Sequence, residues 1–190
     1  TAVEIEIALA RGYLAQSAFA EAESLLERAA TRAVGAGEPA REALALAHLA
    51  YVDFTRSRSA EARERALAAL AIWARDRRQF TPEQAVSTLS TAGSTLSYLN
   101  PTDPTPREPF EACLEIARAE PAAVGSLGRA RCLYGLAVVR VYVDSRYDDA
   151  DSLLREAVEL QRSDQTSAAH LASTLQLLGL ANRYRGRFAD

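Results

Sequence analysis

Apolar residues recur at three- and four-residue intervals along almost the whole chain, a period that belongs to α-helices. No alternating stretch bounded by turns interrupts it. The best strand candidate by residue propensity is "VVRVYV" at 138–143, but its flanks, "RARCLYGLA" and "DSRYDDA", carry the helical period onward. The breaks fall at short polar or glycine-containing turns, which divide the chain into nine expected helices at 2–15, 20–34, 41–55, 60–77, 82–99, 110–119, 126–143, 148–161 and 167–185. "FTPE" is a helix-start signal, with Thr81 as N-cap and Pro82 at the first helical position. "NPTDPTPREP" (100–109) reads as the one true loop, its prolines excluding a helix. Consecutive helices joined by short turns lie antiparallel, so the chain is expected to be all-α.

Composition agrees with this reading and excludes several functions. Of 190 residues, 48% are hydrophobic and only 7% aromatic, which favours close helix contacts through small side chains. The formal charge of −3 disfavours a general polyanion surface, so no nucleic acid is expected. All basic residues are Arg, with neither Lys nor Met present, and the Lys-free composition suggests a GC-rich bacterial source. No apolar run approaches the ~18 residues of a membrane helix, and no membrane partner is expected. Cys113 and Cys132 stand in apolar runs without a CxxC or Cys/His cluster. Zinc is therefore not expected, and the two read as small buried hydrophobes, with a disulfide as the alternative.

Three stretches repeat one pattern: "ALARGYLAQSAFAEAESLLERA" (8–29), "GLAVVRVYVDSRYDDADSLLREAVEL" (135–160) and the closing "TLQLLGLANRYRGRFAD" (174–190). Each holds an apolar helix, a turn of two or three residues and an aromatic residue: Phe19, Tyr147 or Phe188. In the first two, Ala-Glu-Ala-Glu or Asp-Asp-Ala-Asp follows, then Leu-Leu and a small residue, Ala29 or Ala157. This pattern resembles the tetratricopeptide (TPR) family. Leu178–Gly179, Gly186 and Phe188 match its signature, as do Leu9–Ala10, Tyr13, Ser17 and Phe19, while Ser59 replaces the aromatic in the second unit. The phase points Phe19, Ser59, Phe110, Tyr147 and Phe188 lie 40, 51, 37 and 41 residues apart, against the usual period of about 34. That spacing is similar to the longer repeats of kinesin-light-chain-like and bacterial signalling arrays.

The resemblance implies a right-handed α–α superhelix over 1–190, a single helical-repeat domain in which each hairpin buries its apolar face on its neighbours. It also implies that the ninth helix is half of a truncated repeat from a longer protein, with an exposed apolar face ("LASTLQLLGLA") able to pair with another copy. The first helix of each pair would line a concave groove for a peptide or partner helix. Aligning the units assigns to that groove His48, Tyr51, Phe54, Ser94, Tyr98, Tyr142, Arg183 and Tyr184, together with Arg11, Leu14, Ser87, Ser90, Thr91, Ser97, Leu136, Val139, Gln176 and Leu180. The implied role is a scaffold or adaptor module. Its partner would be another protein or a further domain of the same chain, and the module would be the regulatory or sensory part of a bacterial Ser/Thr kinase or transcription regulator. Oligomerisation and an α-helical enzyme are the rival roles. The Asn positions of the family's carboxylate clamp read Ala8, His48, Thr91, Leu136 and Leu177 here, so that clamp is absent.

No P-loop, GxSxG or HExxH motif occurs, so neither catalysis, a cofactor nor a metal is expected. "DDAD" (148–151) lacks the glycine and distal glutamate of a calcium loop. It and the arginine clusters at 75–78 and 183–187 match the polarity of helix ends instead. His48 and His170, far apart in sequence and each in an apolar helix, read as separate structural histidines. The hydroxyl-rich helix at 82–99 reads as a solvated face. The expected compartment is the cytoplasm, with the periplasm as alternative.

Overall fold

A computed structural model describes residues 1–163 and 168–186. Phe188, the opening residue of the expected lost helix, lies outside the described residues. Nine α-helices and no strand occur among the described residues. They are α1 (Ala2–Ala15), α2 (Phe19–Ala36), α3 (Pro39–Thr55), α4 (Ser59–Asp76), α5 (Pro82–Leu99), α6 (Arg107–Ala119), α7 (Pro121–Tyr142), α8 (Tyr147–Ser163) and α9 (Ala168–Tyr184). One 3-10 turn, Arg77–Gln79, follows α4.

Local chemistry sets the helix ends. Thr81 and Gln84 form a reciprocal capping box at the start of α5, and Thr1 and Glu4 form another at the start of α1. The turns inside the hairpins share one backbone device. Ser17, Ser57 and Ser145 adopt left-handed φ values of 59°, 61° and 54°, and Gly186 has 74° at the corresponding place. In the first two turns an N–H three residues past the helix end returns to a carbonyl of its last turn, Ala18 to Tyr13 at 2.9 Å and Arg58 to Asp53 at 2.8 Å. The repeat visible in the letters is thus also a repeat of turn geometry. Phe19, Ser59 and Tyr147 each open the helix that follows.

The helices form two layers. Each packs on its neighbours in sequence, and the odd-numbered helices also touch one another in the order α1, α3, α5, α7, α9. The odd helices therefore make the inner layer and the even ones the outer layer of a right-handed superhelix. Its apolar interior is a chain of local clusters: α1–α2–α3, then α3–α4–α5, then α4 to α8, then α7–α8–α9. Fully buried alanines recur at the contacts, among them Ala22, Ala29, Ala47, Ala66, Ala69 and Ala157. Their small side chains let helices approach closely while covering apolar surface. In α9, Leu177 and Ala181 are buried against α7 and α8, and Leu178 and Leu180 lean on the same cluster. The apolar face expected to be open there reduces largely to Leu175, which is 41% exposed.

Four local expectations are corrected. Helix α6 begins at Arg107, three residues early, and takes Pro109 into its first turn, where a proline's missing N–H has no intrahelical role. Helix α7 begins at Pro121, and Gly125 breaks it with φ 71° and ψ 171°. The continuous part starts near the expected 126. Cys113 and Cys132 are joined in a disulfide between α6 and α7 rather than serving as free buried hydrophobes. Most hydroxyls of α5 are buried, not solvated: Ser87, Thr88, Ser90, Thr95 and Ser97 all lie inside. Helix α5 is the central helix, packed by α3, α4, α6 and α7. Ser90 and Thr95 donate back to the carbonyls of Ser87 and Thr91, at 3.4 and 3.0 Å, which keeps them compatible with the interior.

The proline-rich insertion is pinned rather than loose. Asp103 accepts the Thr105 N–H at 2.9 Å and pairs with Arg63 of α4 at 2.7 Å. Two of the 75–78 arginines have local partners: Arg75 pairs with Asp76 at 2.7 Å, and the Arg77 guanidinium lies 4.2 Å from the Trp73 ring centroid.

Candidate functional site

The inner layer encloses a cavity of about 350 Å³. All five odd helices reach it, α1 through Arg11 and Leu14, α3 through His48 and Tyr51, α5 through Thr91, Ser94 and Tyr98, α7 through Arg131 and Tyr134, and α9 through His170 and Thr174. Gln161 of α8 joins them. Aligning successive first helices thus brings His48, Tyr51, Ser94 and Tyr98 into one wall, with Arg11 and Leu14 beside them.

Other expected groove residues lie elsewhere. Phe54 does not line the cavity; its ring stacks on Tyr98, centroids 5.4 Å apart, and so backs a residue that does. Tyr142 is exposed near the end of α7, two turns past Tyr134. Arg183 and Tyr184 are exposed at the end of α9, where Tyr184 stacks on Tyr147 at 5.2 Å and closes the α8–α9 contact. Leu136 and Val139 are buried in the main cluster, and the α7 face that reaches the cavity carries Arg131 and Tyr134. Likewise α9 offers His170 and Thr174 rather than Gln176 and Leu180. The apolar spacing Leu133, Leu136, Val139 marks the core side of α7. That pattern could have pointed to Arg131 and Tyr134 as the other side.

The electrostatics of the cavity are one-sided. No Asp or Glu stands in its described wall, whereas two arginines do. Most other arginines are paired. Arg58 and Arg65 hold the buried Asp53 at 2.7 and 3.0 Å, Arg28 and Arg32 hold Glu6 at 3.2 and 3.1 Å, and Arg185 reaches Asp148 and Asp151 at 2.6 and 3.2 Å. Arg11 and Arg131 take part in no ion pair or hydrogen bond among the described residues. Burial, and then the charge of Arg11, push the Arg131 pKa down.

His48 and His170, expected to be separate, line the same cavity. His48 is only 7% exposed, and its Nε2 meets no hydrogen-bond partner among the described residues. Burial, then Arg11, then Arg131 lower its pKa to about 3. His170 is shifted the same way by burial and Arg131. Burial, with Tyr98 and Tyr142 nearby, raises Tyr134 to about 12, and burial also raises Tyr98. At neutral pH the cavity therefore holds two guanidiniums, neutral imidazoles and intact phenols.

This predicts a pH effect on folding. The folded-state pKa of His48 lies below its ordinary 6.5, so below that value the unfolded chain binds a proton that the folded chain refuses. The contribution to stability is complete above about pH 6.5 and is lost as pH falls toward 3. Linkage gives a loss of roughly 2 kcal/mol between about pH 7 and pH 5. Charges that face His48 from α1 and α7 are Arg11 and Arg131, which stay cationic throughout, and no carboxylate lines the cavity to offset them. Urea melts at the two pH values should show this loss, and His48→Gln should remove most of it. An unchanged slope in the variant would assign the acid sensitivity elsewhere.

Comparison with known proteins agrees on the fold. No family model matches the chain, and no curated protein matches it. Solved structures do. BtubC (BKLC) from P. vanneervenii superposes with a TM-score of 0.69 at 21% identity, covering 98% of this chain and 74% of that one. A protein from Podosopora anserina, described as a kinesin light chain with nearly identical TPR-like repeats, gives 0.62 at 17%, covering 97% and 87%. The apo form of RapI gives 0.60 at 17%, covering 97% of this chain and 49% of RapI. The chain has the TPR-like α–α superhelical fold.

Proposed function

We propose that this chain is a protein-interaction module that holds a peptide or partner segment in the concave cavity of its inner layer, with no catalytic role. The observation that carries the reading is the convergence of five non-adjacent helices on one cavity walled by Tyr51, Tyr98 and Tyr134. Aromatic side chains of this kind anchor partners at low entropic cost. No group of three or more metal-binding residues occurs among the described residues. Among the described residues no helix is long and apolar enough to cross a membrane. Within a larger bacterial signalling protein, such a module would serve as the regulatory or sensory part.

A displayed peptide library selected against the chain tests the reading. Enriched peptides should compete with one another for a single site. They should lose roughly tenfold or more in affinity on Tyr51→Ala/Tyr98→Ala, with the fold confirmed by circular dichroism. Equal binding to that variant would move the interaction off the concave face.

Self-association is a second reading, favoured by one feature. Ile5, Leu9 and Tyr13 form an exposed stripe along α1, at 62%, 53% and 38% exposure. Light scattering that shows a dimer dissociated by Ile5→Glu would support it, and a monomer would remove it.

A further inference from the structure

The protein's arginines are, for the most part, neutralised by its own carboxylates. Among the described residues Arg78, Arg162 and Arg183 also lack an ion pair, but they lie on the open surface, whereas Arg11 and Arg131 share one cavity. Arg11 comes from α1 and Arg131 from α7, 120 positions apart in the chain, and both face the same space without a carboxylate in its described wall. Arg11 is exposed, whereas Arg131 is partly buried; a partly desolvated guanidinium such as that of Arg131, beside a second one and without a counter-charge, is unfavourable for the free protein. The planar fork of each is suited to a carboxylate or phosphate. A further polar atom waits in the same wall: the Nε2 of His48, buried and without a partner among the described residues. The volume lies at the lower end of the ~300–1,000 Å³ range of small-ligand sites. The cavity is open to solvent on one side, so one charged group and one ring can enter while the rest of a larger ligand stays outside.

We infer that the cavity seats an anionic group of its ligand, a carboxylate or a phosphate, between Arg11 and Arg131, with the ligand's apolar part against Tyr51, Tyr98 and Tyr134. The inference rests on the concave-face reading above and adds the chemistry of what binds there. The anion supplies the counter-charge that both guanidiniums lack. Neutral His48 adds a hydrogen bond, and Thr91 and Ser94 carry hydroxyls into the same wall. The anionic group has two possible carriers, a free small molecule or an acidic side chain on an extended peptide.

The test follows the arginine Nε–Hε signals by NMR, with those of Arg11 and Arg131 assigned by substitution. Phenyl phosphate is titrated against benzyl alcohol, its neutral counterpart. The acetylated and amidated peptide Ala-Tyr-Glu-Tyr-Ala is titrated against the same peptide with Gln for Glu. At least one anion should shift both signals saturably, with a Kd at or below about the millimolar level and roughly tenfold tighter than its neutral partner's. Response to phenyl phosphate identifies a free small molecule as carrier, and response to the Glu peptide alone identifies a peptide. Arg11→Gln/Arg131→Gln should lose about tenfold or more, while Arg78→Gln, exposed and outside the cavity, should bind as wild type does. Relief of the unpaired charges should leave the double variant at least as heat-stable as wild type; if it does not fold, Arg11→Gln alone carries the comparison. Silence of both signals toward every anion overturns the inference. So does equal binding of a neutral counterpart that Tyr51→Ala/Tyr98→Ala weakens, an outcome that leaves the concave-face reading intact. A loss in Arg78→Gln as large as in the double variant also overturns it.

Discussion

Phe110→Ala is expected to lower stability by about 3–5 kcal/mol, the range for removing a large aromatic from a packed interior. For a chain of this size that is a fall of roughly 10 °C in Tm, measurable by thermal denaturation. Phe110 is 0% exposed and stands where three helices meet. Its ring lies against glycines of two of them: a Cβ on Gly93 of α5 would come within 2.9 Å of Cζ, and one on Gly135 of α7 within 2.0 Å of Cε1. These glycines sit within helices, where glycine costs about 1 kcal/mol relative to alanine. That cost is offset by the space they leave for the ring. The same geometry predicts a coupling. Gly135→Ala alone should destabilise by about 1–3 kcal/mol through overpacking, despite its better helix propensity. In the Phe110→Ala background it should be neutral or stabilising, because the added methyl then enters the vacated space. A double-mutant cycle that comes out additive would show that ring and glycines do not constrain each other. The junction matters for the cavity, since α5 and α7 carry Thr91, Ser94, Tyr98, Arg131 and Tyr134.

Removing the disulfide should have the next largest effect. Cys113 and Cys132 are both fully buried and close a loop with a sequence separation of 19, for which the chain-entropy relation gives about 3 kcal/mol. The loop contains the break at Gly125, a place where the unfolded chain gains much freedom once the link is cut. Urea midpoints of the oxidised protein and of Cys113→Ala/Cys132→Ala should differ accordingly. Equal midpoints would return the two residues to the role expected from composition, that of small packing side chains. Because Arg131 precedes Cys132, the bond also fixes the backbone that carries one of the cavity's two charges.

The sequence by itself determined the elements, their order and the way they repeat. Helical period, capping residues and turn signals act over a few residues. Thr81 and Gln84, and the left-handed turn residues two positions before Phe19, Ser59 and Tyr147, could therefore be read in the letters or in the spacing between them. The resemblance to a stacked-hairpin family rested on the repeated residues, such as Gly186 and the aromatics Phe19 and Tyr147, and the two-layer order of the helices agrees with it. What only the tertiary structure decided is which side of each helix meets which neighbour. Helix α5 looks amphipathic on a wheel, yet its hydroxyls are buried because four helices surround it. Two cysteines on different helices meet, although nothing in their spacing requires it. The curvature of the superhelix brings Arg11 and His48 to the same cavity as Arg131 and His170. That curvature is the sum of many small helix-to-helix rotations set by side-chain volumes such as those of Ala69, Gly135 and Phe110. No local pattern encodes it, so the charge and shape of the cavity emerge only once the helices are stacked.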